Sequence, residues 1–118
     1  MDRKLNITVG DEDRAALKAR VKNAVATGTY QGEYMNFATP ELLFTRLNDN
    51  RWKILHALIG MPEIGVRELA RRISRDVRRV YDDAAILVDL GLLEKTDAGK
   101  LHCPFVEIHV DMRLRKAA

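Results

Sequence analysis

The chain has 118 residues, 47% of them hydrophobic and 31% charged, with a formal net charge of +3. That length suits one domain around a single core, with no room for a separate catalytic domain, and the composition excludes a disordered chain. Cys103 is the only cysteine, which excludes an internal disulfide, and no run approaches the roughly 18 apolar residues of a membrane span or resembles a signal peptide, so the expected setting is the cytoplasm.

The first element is a strand in which Leu5, Ile7 and Val9 alternate with Asn6 and Thr8, giving one apolar face. Gly10-Asp11 breaks it, and Asp11 suits the cap of a helix whose apolar positions are Leu17, Val21, Ala24 and Val25 and whose end is Gly28. Glu33 to Phe37 is a short strand candidate. Thr39-Pro40-Glu41 is a helix start, with a capping hydroxyl before a proline at the first helical position, and this helix runs to Leu47. Asn48-Asp49-Asn50 opens the next, with Trp52, Leu55, Leu58 and Ile59 on its apolar face and Gly60 and Pro62 beyond it.

From Val66 the pattern tightens. Val66, Leu69, Ala70 and Ile73 share one face of a short helix, Ser74-Arg75-Asp76 is a turn, and a longer helix buries Val77, Val80, Ala84, Leu87 and Val88 before ending at Gly91. Leu92 to Lys95 and Lys100 to Cys103 read as two strands around the turn Thr96-Asp97-Ala98-Gly99, with Pro104 ending the second. A last strand alternates Val106, Ile108, Val110 and Met112 with Glu107, His109, Asp111 and Arg113.

Three helices followed by a hairpin is the order of a winged helix-turn-helix, so the expected fold is α+β: that module with an added N-terminal strand-helix and a C-terminal strand. The expected divisions are 1–38, a dimerising extension; 39–104, the winged helix-turn-helix; and 105–118, the terminal strand and tail. In such a module the third helix enters the major groove and the hairpin is the wing. Charge agrees. Between Val66 and Arg79 stand six arginines and two acids, a net +4 that exceeds the charge of the whole chain. Arg78 and Arg79 fall in the first turn of the third helix, where arginine reads guanine O6 and N7 with two parallel bonds. Tyr81 and Asp82 are the next outward positions. Arg67, Arg71, Arg72 and Arg75 are placed to hold phosphates, and Lys95, Lys100 and His102 to touch DNA from the wing. Against this, Arg78 with Asp82 and Arg79 with Asp83 stand at i,i+4 spacing and suit ordinary surface pairs.

A homodimer is expected, since one winged helix reads only a few base pairs and a twofold dimer reads two half-sites. Its candidate interface is Leu5, Ile7 and Val9 of the first strand, Leu17, Val21, Ala24 and Val25 of the first helix, and Ile108 and Val110 of the last strand. Pairing of the two terminal strands within one chain stands beside this as the alternative.

Enzyme chemistry is not expected. His56 has no partner at metal-ligand spacing, His102 and Cys103 point to opposite faces of a strand, and no glycine-rich phosphate loop is present. Neither a metal nor a cofactor is implied.

Several stretches together resemble a prokaryotic family of small MarR-like winged-helix transcriptional regulators. They include Ile7-Thr8-Val9-Gly10, Phe37, Leu47 with Arg51, Arg67 to Arg72, Arg75-Asp76, Val80 to Asp83, Leu90-Gly91-Leu92 and Pro104 to Asp111. The resemblance implies a repressor of double-stranded DNA, often the antitoxin of a toxin–antitoxin pair, with a small toxin as partner. The chain departs from that pattern at Ala84, Ala85 and Ile86, where polar residues are expected, so this part of the helix, with Ile86 and Val88, is expected to meet another element. Two other functions compete. One is a module that binds a protein partner with little DNA affinity. The other is a small-molecule sensor, which would need a pocket at a dimer interface.

Overall fold

A computed structural model of the chain describes residues 2–10, 18–19, 22, 32–114 and 116. It is an α+β protein whose described elements are four helices, a three-stranded sheet and a two-stranded hairpin. Instead of one core it has two compact units. The first holds residues 3–46 and 108–118, and the second residues 47–107. The chain therefore passes between units at Arg46/Leu47 and Glu107/Ile108, not at the expected 38/39 and 104/105. The helix that opens at Thr39-Pro40 goes with the strands, not with the later helices.

In the first unit, β1 (Arg3–Val9) pairs in parallel with β2 (Glu33–Phe37), in a register that sets Ile7 beside Met35 and Val9 beside Phe37. Parallel neighbours need a crossover connection, for which residues 10–32 supply the chain. β1 is the middle strand, between β2 and β5 (Phe105–Asp111), whose residues from Ile108 onward belong to this unit. Polar side chains reinforce the pairing. The Arg3 guanidinium donates to both Glu33 carboxylate oxygens at 2.6 and 2.8 Å, and Asn36 donates to Thr8 Oγ1 at 2.8 Å and to the Gly10 carbonyl at 3.2 Å. α1 (Pro40–Arg46) follows, its first turn capped by Thr39 Oγ1, which accepts from the Leu42 amide at 3.2 Å. It packs Leu43 inward and lies against β2.

This sheet corrects two expectations. Ile7, Thr8 and Val9 are buried in succession, so β1 is covered on both faces at this end and does not carry a single apolar face. The terminal strands pair within one chain. Leu5, Ile7 and Val9 are therefore buried in the protomer and are not offered to a second copy. Ile108 is half-buried and Val110 exposed. Leu17, Val21, Ala24 and Val25 lie outside the described residues.

The second unit opens with α2 (Asp49–Leu58), where the Asn48 side chain accepts from the Arg51 amide at 3.0 Å. Its buried residues are Ile54, Leu55 and Leu58, while Trp52 and Ile59, expected on the apolar face, are half-buried. α3 (Val66–Arg72) and α4 (Val77–Asp89) follow, and α2 and α3 both pack on α4. Leu69 and the small Ala70 are buried on α3, and Val80, Ala84 and Leu87 on α4. Val77, expected inside, is exposed.

Ser74 makes the turn between these helices. It sits at φ 54, a left-handed conformation usually left to glycine, and the Arg75 amide closes back onto the Ala70 carbonyl at 3.0 Å. Asp76 then caps α4 by accepting from the Arg79 amide at 3.2 Å. At the far end Gly91 takes φ 84 and the Leu92 amide reaches the Leu87 carbonyl at 2.9 Å, which turns Leu92 and Leu93 into the core. For this reason the hairpin strands are shorter than the pattern suggests: β3 is Glu94–Lys95 and β4 is Leu101–His102. Ile64 adds a bridge to Leu101, with two backbone hydrogen bonds at 2.8 and 2.9 Å, a pairing that no local pattern announces.

Candidate functional site

The cationic segment of the second unit divides by orientation. Arg67, Arg71 and Arg72 are exposed on α3, and Arg78 and Arg79 are exposed in the first turn of α4. Glu68 serves two of them, at 2.9 Å from Arg71 and 3.6 Å from Arg72, and Asp82 lies 3.7 Å from Arg78. These are solvent-facing pairs one helical turn apart, worth a few tenths of a kcal/mol and easily exchanged for another anion. Arg67 and Arg79 make no ion pair among the described residues. The i,i+4 pair of Arg79 with Asp83 does not form, because Asp83 is engaged elsewhere.

Arg75 is the exception, and its placement corrects its assignment to a phosphate. Its Nη2 lies 3.0 Å from Asp83 Oδ2, while Arg51 Nε approaches the other oxygen, Oδ1, at 3.1 Å. The three side chains are only 14–16% exposed. One carboxylate thus joins α2, the α3–α4 turn and α4. Arg75 Nη1 is buried without a hydrogen-bond partner. A guanidinium held this way is committed to the fold and is not presented to a ligand. Sequence reasoning missed this triad, although one signal was present. Asp83 stands three residues after Val80 and four before Leu87, on the flank of the buried stripe, where a carboxylate requires a partner.

The hairpin brings two more candidates together. Lys95 Nζ stands over the Tyr81 ring, 6.0 Å from its centroid, which ties β3 to the outer face of α4. Lys100 is exposed in the turn, and His102 is half-buried on β4, in register with Glu94. The turn itself is held by Thr96, whose Oγ1 accepts from the Lys100 amide at 3.1 Å, with Gly99 at φ 77.

Cys103 is buried, and its thiol donates weakly to the Phe105 carbonyl at 3.7 Å. Burial pushes its pKa up, the Phe105 backbone working against this and the nearby Glu94 adding to it. A thiol held protonated in this way is a poor nucleophile. Among the described residues no three His, Cys, Asp or Glu side chains stand together as metal ligands, and no helix is long and apolar enough to cross a membrane.

These features define an α+β protein whose second unit presents exposed arginines on two successive helices beside a hairpin. The chain belongs to the HVO_A0114 family, whose model matches residues 46–110, more than half of the chain. The match takes in the whole second unit and begins at its boundary. The family description speaks of neither MarR-like regulators nor antitoxins, and no curated protein and no solved structure matches the chain.

Proposed function

We propose that the protein is a winged helix-turn-helix regulator that binds double-stranded DNA, with α3 crossing the backbone, α4 reading the major groove and the β3–β4 hairpin as the wing. The observation that carries this reading is the exposure of five of the six arginines between Val66 and Arg79 on one compact unit. Arg78 and Arg79 are the base-reading candidates, at the start of α4 where a reading helix meets base edges. Arg67, Arg71 and Arg72 are the phosphate candidates, joined by Lys95 and Lys100 on the hairpin. Occupation of its operator would make the protein a repressor. Two copies related by a twofold axis would read two half-sites, and Ile108 and Val110 are the interface candidates left by the sheet.

Titration of the protein's own promoter fragment at several salt concentrations tests the reading. Counterion release predicts a log–log slope of about −0.9 per phosphate neutralised, so contacts from several arginines give a slope of several units. A flat response, or no binding at low salt, removes it. A second reading, a module that docks on a protein, draws on Leu42 and Phe44 of α1, which are exposed large apolar side chains. It predicts no salt-dependent DNA affinity.

A further inference from the structure

α4 is apolar beyond the face it buries. Tyr81, Ala85 and Val88 succeed one another at i, i+4 and i+7 on the flank of the buried stripe. They line an open-sided cavity of about 220 Å³, bordered by Val66 of α3 and Leu101 of β4. An apolar cavity of roughly 150 Å³ takes benzene, so this one, which is also open on one side, has room for about nine non-hydrogen atoms of a ligand. The cavity lies within one chain and one unit, between a helix and a hairpin. It also accounts for Ala85 and Val88 standing where a solvent-facing helix would be polar.

The two ends of the cavity differ chemically. Tyr81 and Asp89 both line it, and their separation along α4 is about 12 Å at a rise of roughly 1.5 Å per residue. Lys95 joins Tyr81 at the first end and makes no ion pair among the described residues. That end offers an ammonium and a phenolic O–H, both donors. Alanine and valine side chains form the middle, and a carboxylate marks the other end.

The geometry points to a binding site for a small monocarboxylate with an apolar chain. Its carboxylate meets Lys95 and Tyr81, its chain lies along Ala85 and Val88, and Asp89 repels a second anionic group. Because Lys95 also belongs to the proposed DNA surface, the ligand and DNA compete. Only this last consequence rests on the DNA reading.

Octanoate is the probe, and methyl NMR of the full chain is the readout. Saturable shifts are expected at Val66, Ala84, Ala85, Val88 and Leu101. Octylamine and suberate, which change the charge or add a second carboxylate on the same eight-carbon chain, are expected to bind at least about fivefold more weakly. Lys95→Gln weakens octanoate by about fivefold and leaves 1-octanol unchanged. Ala85→Phe fills the cavity from an exposed helical position and abolishes the shifts, and Asp89→Asn narrows the gap between suberate and octanoate. An absence of saturable shifts, shifts spread over other apolar surface, or equal affinity for the three charge types overturns the site. Octanoate binding without DNA binding leaves the site standing and removes the DNA reading, whereas DNA binding without octanoate binding does the reverse.

Discussion

Arg75 and Arg51 keep 16% and 14% of their side chains in water, whereas Arg71 and Arg78, on the flanking helices, keep 76% and 83%. The inner pair converges on one carboxylate and fixes the angle between α2, the turn and α4. The outer set has solvent-facing partners or, among the described residues, no ion pair. Charge of one sign and type thus acts in two ways within a few residues. Where water is excluded, a guanidinium must be matched and becomes part of the framework. Where water remains, its pairing is weak and it is available to an outside anion.

Asp83→Ala makes the widest break in this contrast, because it leaves two guanidiniums in the interior without their carboxylate. A loss of about 2–4 kcal/mol is expected in urea unfolding, slightly below that for a fully buried pair. A change under about 0.5 kcal/mol would show the triad to be an ordinary surface contact. Arg79→Ala belongs to the other side. Its unfolding free energy should stay within about 0.5 kcal/mol of the parent, while discrimination at one base position of the operator falls by about 1–3 kcal/mol. Arg78→Ala should behave in the same way, at another position. Sequence-blind losses from both would contradict a base-reading role.

Arg71→Ala sharpens the comparison within the outer set. All sequences should weaken alike, and the salt slope should shrink by about one. Glu68→Gln should change stability by less than about 0.5 kcal/mol, since it removes only solvent-facing partners, and should tighten DNA slightly by freeing Arg71 and Arg72. A large loss of stability there would place Glu68 with Asp83 in the framework.

The smallest effect belongs to Cys103. Its raised pKa means that the folded chain holds the proton more tightly than the unfolded chain. The stability this contributes is fully present below the ordinary thiol pKa and is lost as pH rises through the raised value. The stability difference between the parent and Cys103→Ala should therefore shrink as unfolding is measured from neutral pH to above pH ~9. A difference that does not change with pH would show that the thiol is not held protonated.

Much of the second unit is legible in the sequence. Leu69 with Ala70, and Val80 with Ala84 and Leu87, mark their helices by spacing alone. Asp76 and Gly91 mark where α4 begins and ends, and Thr96 to Gly99 mark the hairpin turn. The exposed arginines of α3 and α4 were likewise identified by position. The fate of Arg75 was not. Its partner Asp83 is eight residues away, and the second guanidinium comes from Arg51, 32 residues from that carboxylate. The parallel pairing of β1 with β2 and the bridge from Ile64 to Leu101 were hidden for the same reason.

The sequence by itself determined the helices between Pro40 and Asp89, the hairpin turn and the concentration of positive charge, because each follows from side chains within one or two turns of each other. Tertiary structure alone decided that β1 is a central strand, that the chain forms two units, that Arg75 faces inward and that the apolar flank of α4 lines an open-sided cavity. These depend on which distant segments meet and on which surfaces lose water when they do. A side chain's burial is a property of its neighbours in space, and the order of residues along the chain specifies those neighbours only through the fold.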